Sequence, residues 1–191
     1  MLSKKRRHIE THQLGNDWSV DDPSDITLET SRSAGPAVAA LGSLLTMGQN
    51  GFRRFLANQI ATTKYFRNMV ASSEFFLVGN PQSLGFNTMV VICPDGMRKR
   101  ATWESFLERV QNDEELLTRL NRQLRAFFEW CYKTRSQRLG CSFSKSFCKT
   151  NSGTVISGLK YCFVSPHIDE KIINEELKVL IEAFKEFSSN Q

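Results

Sequence analysis

Between Asp113 and Thr134, Leu116, Leu117, Leu120, Leu124, Phe127, Phe128 and Cys131 recur at a helical period, with no glycine or proline between them. A run of that length makes a helix about 33 Å long at 1.5 Å per residue, apolar along one stripe. Such a stripe is stable only against a second layer, so the chain must build a layered core. The composition supplies one: 40% of the 191 residues are hydrophobic and 10% aromatic, which argues against disorder.

The remaining segments alternate between helical and extended patterns. Residues 1–30 are polar, and Asn16 to Pro23 is rich in turn formers, which predicts a connecting leader. From Ser33 to Met47 the chain is rich in alanine and leucine, with Pro36 where a first helical turn accepts it and Gly48 where a helix ends. Gly51 opens a second helix, whose Phe52, Phe55, Leu56, Ile60, Phe66, Met69 and Val70 are expected on one buried face lying across a sheet. Glu74–Gly79 and Phe86–Cys93 read as strands around Asn80-Pro81-Gln82-Ser83. Residues 94–112 read as a turn and a charged stretch. Cys141–Lys149 and Thr154–Ser165 form a second strand pair around Asn151-Ser152-Gly153, and a final helix starts near Asp169 with Ile172, Ile173, Leu177, Leu180, Ile181, Phe184 and Phe187 inward. The order is helix, helix, strand, strand, helix, strand, strand, helix, an α+β sheet covered by helices.

Composition excludes several classes of function. The net charge of +5 comes from 25 basic and 20 acidic residues, and the dense basic run Lys4-Lys5-Arg6-Arg7 is terminal, where a solvated end is expected more than a nucleic-acid contact. The aromatic faces have helical spacing without interleaved cations, so they are core and not a base-stacking platform. Five cysteines, Cys93, Cys131, Cys141, Cys148 and Cys162, form no CxxC pair and no zinc spacing, which suits reduced thiols in a cytoplasmic protein. No signal peptide follows the basic start, and no window approaches the roughly twenty apolar residues of a membrane span. Three histidines, two of them in the leader, make no Ser/His/Asp or Cys/His arrangement. Asp21, Asp22 and Asp25 read as a solvated acidic turn.

The informative stretch is Thr27-Leu28-Glu29-Thr30-Ser31-Arg32-Ser33-Ala34-Gly35-Pro36-Ala37-Val38-Ala39-Ala40-Leu41, followed by Met47-Gly48-Gln49-Asn50-Gly51-Phe52. It resembles the group II pyridoxal-phosphate-dependent amino-acid decarboxylases, in which a strand runs into a Gly/Ser-Arg pair, a long helix, a glycine turn and a second helix. His12-Gln13-Leu14-Gly15, the Val90 to Gly96 segment and Leu159 to Pro166 agree in order, so the resemblance spans essentially the whole chain.

The resemblance implies the C-terminal portion of a fold-type-I enzyme. Residues 1–33 would close the cofactor-binding large domain, 34–72 would be linking helices, and 73–191 would be the small α+β domain. It implies a dimer in which Ser31 and Arg32 approach the cofactor phosphate of the neighbouring subunit, a role for which a guanidinium and free N–H groups are suited. An interface ion pair is the alternative for Arg32. It also implies that Lys160 stands where relatives carry an arginine for a substrate carboxylate, with an ordinary lysine on an edge strand as the alternative. The family's catalytic tyrosine, in a loop before the Ser-Arg pair, has no counterpart, because the first tyrosine is Tyr65.

Decarboxylation in that family requires a lysine that forms a Schiff base with pyridoxal phosphate, commonly after a histidine, and an aspartate on the pyridine nitrogen. No histidine here precedes a lysine, and the family places both groups upstream of these residues. The expectation is a chain inactive alone, whose partner is either a second copy of itself or a chain that carries the cofactor-lysine domain, and which acts on an amino acid only if the site is completed. A non-catalytic dimerisation module and an unrelated basic nucleic-acid-binding domain are the other readings.

Overall fold

A computed structural model describes residues 35–97, 101–134, 139–165 and 167–190. It contains α1 (Gly35–Ala71), β1 (Phe76–Val78), β2 (Asn87–Ile92), α2 (Trp103–Asn112), α3 (Glu114–Thr134), β3 (Cys141–Lys149), β4 (Val155–Cys162) and α4 (Glu170–Ser189). The mixture of helices with one four-stranded antiparallel sheet is α+β. Two compact units divide at Phe52/Arg53, so the second half of α1 falls in the unit that contains the sheet.

Within α1 the helical backbone is interrupted at Gly48, with φ 57° and ψ −178°. That region is open essentially to glycine alone, so the sequence specifies two helices meeting at this residue.

In the larger unit the strand order is β1-β2-β4-β3. Alternation along β4 sends Leu159 and Tyr161, both fully buried, to the same face as Val90, Ile92 and Phe76. That face carries the main helix layer. Phe66 of α1 meets Tyr161 and Phe163 at 4.8 Å between ring centroids. Phe127 of α3 and Phe184 of α4 pack edge-on at 5.2 Å, and Phe184 lies 5.0 Å from Phe76. The stripes expected on α3 and α4 are thus the seams of the core, with Ile172, left 44% exposed, the departure.

The buried face of α1 differs from expectation. Phe66 and Val70 are fully buried, but Leu56 and Ile60 are exposed, and Gln59, Thr62 and Thr63 take the inward positions. Gln59 is tolerated there because its Nε2 donates to the Ser165 carbonyl at 3.0 Å.

The charged stretch before residue 113 holds the unexpected helix α2. Thr102 caps it: its Oγ1 accepts from Ser105 N at 3.2 Å, while Ser105 Oγ accepts from Thr102 N at 3.0 Å. Trp103, Phe106, Leu107 and Val110 then follow one face, with Phe106 and Val110 buried. The β3–β4 hairpin closes as expected, with Thr150 N donating to Thr154 O and Gly153 at φ 88°.

Candidate functional site

Ser31 and Arg32, and the leader with them, lie outside the described residues. Lys160 is placed on β4 between Met89 of β2 and Ser142 of β3. β4 is an interior strand, which corrects the edge-strand alternative: the strand order could not be read from the hairpins alone. Because Leu159 and Tyr161 enter the helix layer, half-buried Lys160 is on the opposite face of the sheet.

Gly158 and Gly79 share that opposite face, and the ring of Phe147 crosses both. A Cβ on Gly79 would stand 2.6 Å from Phe147 Cζ, and one on Gly158 would stand 3.0 Å from Phe147 Cδ1 and from Met89 Cε. Phe143 pairs with Leu159 and meets Phe128 of α3, so an unbroken strand would send Phe147 to the helix layer as well. The register shift between Ser144 and Cys148 turns it to the other side, where Trp103 lies 5.9 Å away. Lys160 therefore stands beside an aromatic and methionine surface in mid-sheet.

The approach to that sheet is held by Arg67, whose role has no signature in the sequence. Its Nε donates to Thr88 Oγ1 at 3.2 Å, its Nη2 to the carbonyls of Gly85 at 3.1 Å and Asn87 at 2.8 Å, and its Nη1 to the carbonyl of Ser83. Partial burial lowers the Arg67 pKa, but a guanidinium stays charged across the physiological range. Asn80 completes the loop by accepting from Met89 N and donating to Asn87 O.

Three cavities bear on ligand binding. One of about 550 Å³ lies where α3 and α4 meet the ends of β1 and β2, with Arg119, Arg122 and Asp95 among its lining residues. A second, of about 310 Å³, runs between α1 and the start of α4 and includes His167, Asp169 and Glu170. Neither contains a lysine, and the paired carboxylates of the second repel a phosphate. A third contains Lys178 and Lys185. The Lys178 ammonium is 3.8 Å from Glu182, and that of Lys185 lies 5.6 Å over the Phe75 ring. Both lysines of that cavity are thus engaged by a neighbouring side chain.

The half of α1 before the interruption presents large apolar side chains to solvent: Val38 is 65% exposed, Leu41 55% and Leu45 75%, with Leu44 and Met47 also exposed. Leu56 and Ile60 are exposed on the half that follows. Scattered leucines at a surface are ordinary; five in ten residues of one helix are a patch.

Comparisons with protein-family models, with curated proteins and with solved structures return no match to this chain. Among the described residues no helix is long and apolar enough to cross a membrane, and no group of three or more His, Cys, Asp or Glu is placed to hold a metal ion.

Proposed function

We propose that these residues are the C-terminal portion of a group II pyridoxal-phosphate-dependent amino-acid decarboxylase, inactive alone and completed by a segment that carries the Schiff-base lysine. The observation that carries this reading is the apolar surface of α1 around Val38, Leu41, Leu44, Leu45 and Met47. A helix next to the Ser31-Arg32 motif has no reason to expose such a surface unless another body covers it. The α+β sheet is compatible with the small domain of that family, and Lys160 on its interior strand β4 is the candidate for a substrate carboxylate.

The apolar surface is tested by sedimentation. The chain should self-associate at micromolar concentration, and Leu41→Glu with Leu45→Glu should yield a monomer with unchanged far-UV circular dichroism. A wild-type monomer that binds no hydrophobic dye would contradict the reading.

A further inference from the structure

The cavity between α3, α4 and the sheet end has an apolar floor and a cationic rim. Ile92, Leu116, Leu120 and Phe184 are buried beneath it, and Arg119 and Arg122 stand exposed at its edge. The other cations of α3 are neutralised along their own helix: Arg125 Nε is 2.9 Å from Glu129 Oε1, and Lys133 Nζ is 3.8 Å from Glu129 Oε2. Arg122 has no such option, because its neighbours four residues away are Thr118 and Ala126. Arg119 could turn to Glu115, yet no ion pair joins them, and neither arginine has an acidic partner among the described residues. Asp95, the acid on the rim, is engaged in an interaction of its own.

We propose that this cavity binds an amphipathic anion, a monocarboxylate with an aryl or branched alkyl tail. The carboxylate is held by Arg119 and Arg122, and the tail lies on the Leu116–Leu120–Phe184 floor. Two arginines one helical turn apart on one face offer planar, bidentate donors to a single carboxylate. At about 550 Å³ the cavity falls within the range of small-molecule sites, which typically combine an apolar lining with a few orienting polar groups. The site is formed wholly within the larger unit, so it does not depend on the decarboxylase reading.

The test uses the full chain with 4-phenylbutyrate as probe and 4-phenylbutan-1-ol and 4-phenylbutan-1-amine as controls, followed by calorimetry and amide chemical shifts. The expected result is millimolar or tighter binding of the acid, weaker binding of the alcohol and none of the amine, with shifts at residues 116–126 and 184–188. Arg119→Gln with Arg122→Gln should weaken the acid at least tenfold and leave the alcohol unchanged, since a charge-assisted hydrogen bond accounts for a factor of that size. Ala126→Trp, at an exposed lining position, should block both ligands. Equal affinity for acid and alcohol, an unchanged double variant, or no binding of the acid would overturn the proposal. Circular dichroism of each variant separates lost binding from lost fold.

Discussion

Replacing Arg67 by alanine should cost the larger unit about 2–3 kcal/mol. The side chain donates four hydrogen bonds, three of them to the carbonyls of Ser83, Gly85 and Asn87 and one to Thr88 Oγ1. A hydrogen bond from a charged donor contributes about 1.5–3 kcal/mol net where it is buried. Gly85 is exposed, so water regains its carbonyl and that contact counts for little. Thr88 is fully buried and Ser83 and Asn87 are half-buried, and losing their contacts accounts for most of the effect. The assay is urea unfolding followed by far-UV circular dichroism, where a slope near 2 kcal/mol/M turns this loss into a midpoint lower by about 1–1.5 M. Arg67→Lys keeps the charge but not the fork, and should recover less than half. A loss for Arg67→Ala below about 0.5 kcal/mol would refute the argument that this guanidinium fastens the β1–β2 connection.

Two further perturbations follow from packing and burial. Gly79→Ala places a methyl 2.6 Å from Phe147 Cζ and should destabilise by about 1–3 kcal/mol, a cost that disappears in a Phe147→Ala background when the cycle is measured by urea unfolding. Burial, with Glu176 and Cys131 adding to it, pushes the Cys141 thiol from 9.0 up to about 12. The folded chain keeps this proton while the unfolded chain gives it up, so the stability it provides is intact below pH 9 and is lost as pH rises toward about 12. Alkaline titration of the wild type against Cys141→Ala should show a shallower decline in the variant, and identical slopes would contradict the assignment.

The helical elements were legible where apolar period and caps coincide. Leu116 through Cys131 and Ile173 through Phe187 need only their spacing, and Gly48 only its freedom from a side chain. α2 was not expected, although Trp103, Phe106, Leu107 and Val110 keep a helical period, because Glu104, Glu108 and Arg109 dominate the stretch and its capping partner is Ser105 instead of a glutamate. Leu56 and Ile60 lie outside because a period identifies a face without saying what will cover it. The interior place of β4 depends on its pairing with β2, about seventy residues earlier in the chain, which no local pattern records. The turn of Phe147 away from the helix layer has the same origin, since it follows from a register shift against β4. Of the residues expected at a site, Lys160 is placed on a defined sheet face, Ser31 and Arg32 lie outside the described residues, and the bonds of Arg67 had no signature at all.

The most direct measurement is an absorbance scan with pyridoxal phosphate and borohydride reduction, made on the chain alone and on the chain co-expressed with the cofactor-bearing large domain of a group II decarboxylase. The account predicts no specific, reducible band for the chain alone and a stoichiometric band in the assembled pair. A band trapped on one lysine of the isolated chain, or a large domain that neither associates with it nor gains a band in its presence, would contradict it.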